Sequence, residues 1–98
     1  MEEKAKKVAE LLKVLANENR LLIFCVLMKR PMTVNEISKK IPNITQSALS
    51  QHLALLKARG ILDCKKTGLN ITYSIIDKRV EEIIHVLEKY YCGNENLI

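Results

Sequence analysis

Three cysteines, Cys25, Cys64 and Cys92, are the residues of this 98-residue chain best suited to covalent chemistry. Cysteine thiolates act as nucleophiles, metal ligands and redox sensors. An odd number of cysteines without a CxxC pair is not the disulfide framework of a small secreted domain. Cys25 lies in a strongly apolar segment, where inert packing is the ordinary role of a buried cysteine. Both packing and redox chemistry therefore stay open for it at this point.

A second set of residues is suited to contacting nucleic acid. Thr45 is placed to cap a helix over residues 46–59, which Gly60 ends. Apolar residues Leu49, Leu53 and Leu56 share one side of this helix. The opposite side carries small, amide and hydroxyl residues followed by a cation: Gln46, Ser47, Ser50, Gln51, Ala54 and Lys57. Glutamine reads adenine edges and serine bonds to bases or phosphates, so this face fits a major groove. An ordinary solvent face is the alternative, although such faces usually carry more Glu and Lys.

The surrounding pattern predicts the elements that position this helix. Apolar residues at helical spacing predict a first helix over 3–16 and a last helix that Asp77 caps and that runs to residue 91. Asn17 is placed to cap a helix over 18–29, whose centre is apolar on every side and is therefore expected to be buried all round. The Thr33/Glu36 capping box opens a short helix to residue 40. Residues 61–67 and 70–76 are rich in Ile, Thr and Tyr on either side of Gly68, which predicts a β-hairpin. Four helices, a hairpin and a last helix predict a mainly α fold of the winged helix-turn-helix type. Residues 1–98 are expected to form one domain, with 93–98 as a loose tail.

Positive charge is concentrated in the middle of the chain. The formal net charge is +5, and residues 39–72 hold six basic residues against Asp63 alone. This balance favours a polyanionic partner, although a solvated basic surface is the alternative. Lys65, Lys66 and Asn70 lie around the hairpin tip, where they are expected to reach phosphate or the minor groove unless they serve solubility alone. His52, at the edge of the core side, either contacts phosphate or packs.

Several functional classes are not favoured. There is no triad-like arrangement, paired-carboxylate signature or phosphate-binding glycine loop, so an enzyme is not expected. No run of 18 apolar residues predicts a membrane span, and the first residues lack a signal-peptide core. We therefore expect a cytoplasmic protein with no membrane partner and no cofactor.

Three segments resemble the ArsR/SmtB family of repressors: LANENRL at 15–21, TQSALSQHLALLK at 45–57 and GLNITYS at 68–74. The resemblance implies a homodimer joined through the first and last helices. It also implies that Gln46, Ser47, Ser50 and Gln51 recognise a palindromic duplex operator, and that an inducer weakens binding. The apolar stripes of the two terminal helices independently fit such an interface, although intrachain core explains any single residue.

Many members of that family sense metals, but this chain lacks the ligands that their metal sites require. The third helix has no cysteine, and Arg79 stands where one type of site requires histidine. Zinc needs three or four converging ligands. His85 is therefore interpreted as a polar-face residue and no metal site is expected. A metal-responsive repressor remains the alternative, together with a winged-helix module that binds protein instead of DNA.

The cysteines point to one branch of the family. RLLIFC at 20–25 and YYC at 90–92 resemble the branch that includes BigR, HlyU and YgaV, which carries a cysteine at each position. The resemblance implies that Cys25 and Cys92 join as a disulfide or polysulfide bridge when a reactive sulfur species or an oxidant is present. A direct disulfide requires Cα atoms within about 7 Å of each other. Cys64, which has no partner in this pattern, is interpreted as structural.

Overall fold

The computed structural model describes residues 1–91, so Cys92 and the expected tail at 93–98 lie outside the described residues. The chain forms a mostly helical winged helix-turn-helix fold. Its elements, in order, are α1 (Glu2–Leu15), α2 (Glu18–Lys29), β1 (Met32–Thr33), α3 (Val34–Lys40), α4 (Gln46–Ala58), β2 (Leu62–Thr67), β3 (Asn70–Ile75) and α5 (Lys78–Tyr91). Every helix and both hairpin strands expected from the sequence are present, with bounds that differ by one residue or less.

One strand was not expected. Met32 and Thr33 form β1, which pairs antiparallel with β3 through Met32 and Tyr73 and through Thr33 and Thr72. The sheet therefore has three strands in the order β1-β3-β2. Two residues are too few to show a strand period. The extra strand ties the base of the hairpin to the start of α3.

Side-chain caps fix where the helices begin. Asn17 Oδ1 accepts from the backbone N–H of Arg20 at 3.1 Å, and Thr45 Oγ1 accepts from that of Ala48 at 3.1 Å. At α3 the predicted capping box is complete, because Thr33 and Glu36 each accept a hydrogen bond from the other's backbone N–H. Each cap contributes about 1 kcal/mol to stability. The Thr45 cap matters most for function, because it sets the first turn of α4.

The core joins α4 to the other helices. Leu49, Leu53 and Leu56 of α4 are buried, as their shared side of the helix predicts, and they belong to one cluster with Val80 and Ile84 of α5. On α2 the five consecutive residues 23–27 are all buried, which confirms that this helix is surrounded. Residues of α2, α4 and α5 therefore pack in the same interior, so a shift of α2 or α5 would disturb the packing of α4.

Two helices leave apolar side chains uncovered. On α1, Val8 is 55% exposed and Leu12 is 51% exposed. On α5, Val86 is 48% exposed and Tyr90 is 74% exposed. No helix within residues 1–91 is long and apolar enough to cross a membrane.

Candidate nucleic-acid interface

The polar side of α4 is fully presented to solvent. Gln46, Ser47, Ser50 and Gln51 are exposed, as are Thr45 just before the helix and Lys57 near its end. The apolar side points into the core. Burial of three leucines fixes the rotation of α4 about its axis, so the amide and hydroxyl groups are held outward together. We call this surface the α4 outward face (Gln46, Ser47, Ser50, Gln51).

His52 lies on a flank of α4 that faces α2. Its Nδ1 accepts a hydrogen bond from Arg20 Nε at 3.3 Å, which assigns the proton of the neutral ring to Nε2. Partial burial lowers the pKa of His52 below its usual value, and the Arg20 charge acts in the same direction. At neutral pH the ring is therefore uncharged and is positioned by α2.

Lys57 lies on the other flank and contacts the wing. A hydrogen bond with the Cys64 side chain raises the pKa of Lys57 above its usual value, and the charge of a Cys64 thiolate acts in the same direction. Cys64 is half-buried on β2, opposite Tyr73 of β3. The sequence pattern gave Cys64 no partner, because the contact forms across the turn at Gly60, where helical and strand periods do not connect. The structure adds a contact between Cys64 and α4 that the pattern does not show, and the interpretation of Cys64 as a structural residue stays a prediction.

The wing carries its cations on two faces. Lys65 and Lys66 are adjacent on β2, paired with Thr72 and Ile71 of β3. Successive strand residues point to opposite faces, so both lysines cannot approach the same phosphate directly. Asn70 is exposed where β3 begins, and Gly68 adopts a φ of 63° in the tip. The structure thus brings Lys65 or Lys66, but not both, to the side on which Lys57 lies.

The cysteine pair has one described member. Cys25 lies on α2 with 2% of its surface exposed, inside the main hydrophobic cluster. The neighbouring helix is α5, and Met28 lines a groove with Glu81 and His85 of that helix. Residues 1–91 contain no group of three or more His, Cys, Asp or Glu side chains arranged to hold a metal ion.

Known proteins similar to this chain are regulators of transcription. Residues 17–63 match the family described as bacterial regulatory protein, arsR family. The transcriptional activator HlyU of Vibrio cholerae is 38% identical over 94% of this chain and 84% of its own length. The regulator YgaV of Escherichia coli is 36% identical over 94% of this chain and 93% of its own length.

Solved structures show the same likeness. The structure of reduced HlyU from Vibrio cholerae superposes with a TM-score of 0.88 at 38% identity, covering 95% of this chain and 97% of that one. The repressor BigR from Xylella fastidiosa superposes with a TM-score of 0.83 at 32% identity, covering 97% and 93%. Residue types, fold and relatives agree, and this chain belongs to the ArsR family of transcriptional regulators and is not an enzyme.

Proposed function

We propose that this protein is a cytoplasmic repressor that binds a palindromic operator in duplex DNA as a homodimer, and that bridging of Cys25 to Cys92 releases it. The observation that carries the proposal is the α4 outward face, held in solvent by the buried leucines on the other side of the helix. Relatives carry both names, an activator in HlyU and a biofilm growth-associated repressor in Agrobacterium fabrum. The repressor assignment therefore needs its own test in a reporter assay.

The proposed DNA contacts divide by chemistry. Gln46, Ser47, Ser50 and Gln51 contact base edges, because they share the exposed face of a helix that fits the major groove. Charged and polar groups at the margins contact the backbone, which sets affinity and salt dependence. These are Thr45, His52, Lys57, Lys65, Lys66 and Asn70.

A second copy of this chain is the proposed cover for the exposed apolar residues of α1 and α5. Val8 and Leu12 on α1, with Val86 and Tyr90 on α5, form surfaces that a single copy leaves in water. A domain of this size gains stability from association, because alone it buries a small fraction of its surface. A two-fold dimer places its recognition helices about 34 Å apart, which matches half-sites one helical turn apart.

The proposed switch is a two-electron oxidation of two thiols. With hydrogen peroxide, one thiolate attacks an oxygen to give a sulfenic acid and hydroxide, which takes up a proton to become water. The second thiol then displaces the sulfenic oxygen as water to give a disulfide. With an organic trisulfide RSSSR, each thiolate in turn displaces one RS⁻ from the central sulfur. The product is Cys–S–S–S–Cys, and two RSH molecules leave.

The burial of Cys25 suggests how a bridge to Cys92 would change the DNA-binding surface on α4. Cys25 is packed among the residues that also hold α4 and α5. Cys92 follows the last described turn of α5 directly. Joining the two cysteines draws the end of α5 toward α2. Because the interior is close-packed, such a shift is transmitted to the helices around it and not absorbed locally.

The test compares duplex binding by the reduced protein with binding after its cysteines have been oxidised by an organic trisulfide. We expect the reduced protein to bind DNA from its own upstream region, and an organic trisulfide to weaken that binding while mass spectrometry shows a Cys25–Cys92 crosslink. Cys25→Ser and Cys92→Ser should bind DNA but lose the response, whereas the control Cys64→Ser should keep it. Full response in both serine variants would overturn the switch and leave DNA binding as a separate result.

A further inference from the structure

A groove between α1, α2 and the end of α4 collects three cationic side chains on the side of α4 away from the wing. Its volume is about 370 Å³, ample for a phosphate group. Its walls are Glu10, Lys13, Val14, Arg20, Leu55 and Arg59. Three cations against one carboxylate give the lining a net positive charge. We call this feature the α1–α2–α4 groove.

Arg20 is already oriented in this groove. Its Nη1 donates to the backbone carbonyl of Val14 at 3.1 Å, and its Nε donates to His52 Nδ1 at 3.3 Å. These two hydrogen bonds fix the plane of the guanidinium and leave the N–H groups of Nη2 for a ligand. A planar donor held in place loses less conformational entropy when it binds an oxyanion.

The three cationic side chains of the groove form no ion pair with a carboxylate of residues 1–91. The ion pairs found within residues 1–91 join Arg30 to Glu36 and Arg79 to Asp77. Neither pair involves a residue of the groove. Lys13 and Arg59 are exposed, and Arg20 is half-buried. The groove therefore presents positive charge that no carboxylate of the described chain neutralises by direct pairing.

The groove occupies a defined place beside the α4 outward face. At roughly 100° per residue, Leu55 and Arg59 fall on the same flank of α4 as His52. Contacts on each side agree with this, since His52 meets α2 and Lys57 meets β2. A helix in a major groove about 12 Å wide has sugar–phosphate backbone along both of its flanks. The wing presents one lysine on one of these flanks, and the groove presents three cations on the other.

We propose that the α1–α2–α4 groove binds a phosphate group, and that this group is a DNA backbone phosphate on the side of α4 opposite the wing. The assignment of its source rests on the DNA binding proposed above. Arg20 supplies a fixed pair of N–H donors, while Lys13 and Arg59 supply charge from α1 and α4. Glu10 opposes binding, because its carboxylate repels the phosphate.

The experiment measures affinity against salt concentration for the full-length protein and a fluorescent duplex. Arg59→Gln and Lys13→Gln should weaken binding to specific and unrelated duplexes alike. Each phosphate contact contributes about 0.9 to the slope of log K against log salt. Loss of one contact per protomer should therefore lower the slope of a dimer by about 1.8. Glu10→Gln should strengthen binding.

The control and a second titration separate the possible sources of phosphate. Lys29→Gln removes a cation at the far end of α2, about 13 Å along the helix from Arg20, and should leave the slope unchanged. In parallel, inorganic phosphate is titrated against wild type and Arg59→Gln without DNA, at constant ionic strength, and followed by NMR. No saturable binding is expected, because the groove relies on the duplex to position the phosphate.

Each outcome decides something. A lowered slope in Arg59→Gln and Lys13→Gln, but not in Lys29→Gln, supports the backbone-phosphate site. Saturable binding of inorganic phosphate that Arg59→Gln abolishes, with an unchanged slope, overturns the DNA assignment and shows a site for free phosphate. No change in either measurement overturns the groove altogether. If the wild type binds no duplex, the proposed function fails, and the phosphate titration alone decides whether the groove binds phosphate.

Discussion

Two cysteines of this chain lie in contrasting surroundings. Cys25 is 2% exposed in the core, on the helix that packs against α5, whereas Cys64 is half-buried on β2 of the wing, next to Lys57. The first is coupled to the packing of the whole domain but is hard to reach. The second is easier to reach and contacts Lys57 of α4. The contrast teaches that access and influence over the fold are separated in this molecule, so the cysteine that we propose as the sensor is not the more accessible one.

Labelling rates should show the largest difference between the two cysteines. A bulky maleimide should modify Cys64 in the native protein, while Cys25 must wait for local unfolding. If that opening costs about 4 kcal/mol, Cys25 reacts about 10³-fold more slowly. Peptide mass spectrometry over time gives both rates, and denaturant supplies the control by making them equal. Equal rates without denaturant would contradict the burial of Cys25.

Substitutions on the buried and on the exposed side of α4 should differ in their effect on stability. Leu53→Ala leaves a cavity in the core and should lower the free energy of unfolding by about 2–5 kcal/mol. Thermal unfolding followed by circular dichroism measures it. The matched surface change Ser50→Ala on the same helix should alter that free energy by less than about 0.5 kcal/mol. A large loss in both variants would mean that the outward face is packed.

A substitution on the α4 outward face should weaken operator binding without lowering the stability of the protein. Gln51→Ala removes a proposed base contact and should cost about 1–3 kcal/mol in operator binding, with little change on unrelated duplex. Anisotropy titrations of both duplexes measure the difference. Lys57→Gln is the comparison, because loss of a phosphate contact should weaken both duplexes equally. A uniform loss in Gln51→Ala would show that this residue does not read sequence.

The smallest effect is expected in the pH dependence of stability. Hydrogen bonds from the Thr33 backbone and from Arg30 lower the pKa of Glu36 to about 2, below its usual value of 4.5. The stability that Glu36 contributes is present above pH 4.5 and is lost as the pH falls toward 2. Unfolding midpoints between pH 6 and pH 2 should fall less steeply in Glu36→Gln than in wild type. Parallel curves would contradict this assignment.

The sequence was sufficient for the fold because its local signals agree with one another. The Thr33/Glu36 capping box, the leucine spacing of α4 and the positive-φ glycine at residue 60 each mark an element that the structure contains. Local agreement of this kind is what makes a fold readable. Strand β1 was missed because its two residues are too few to show a period and depend on pairing with Tyr73 and Thr72, far along the chain.

The sequence predicted the candidate DNA-binding site only in part. Helical periodicity correctly predicted which side of α4 is exposed, since the apolar residues that share the other side are buried. The pairing of Arg20 with His52 and of Lys57 with Cys64 joins different elements, and sequence spacing does not encode such contacts. The DNA-binding roles of the α4 outward face, of Thr45, His52 and Lys57 and of the wing residues remain predictions for experiment, as does the bridge between Cys25 and Cys92.

The most direct measurement of the central claim is the operator affinity of protein that carries the Cys25–Cys92 bridge, separated from reduced protein and titrated beside it by anisotropy. The account predicts that the bridged form binds at least about 10-fold more weakly, a difference of about 1.4 kcal/mol, and that a thiol reductant restores the original affinity. Equal affinity in the two forms would contradict the claim that chemistry at the buried cysteine controls the exposed face of α4.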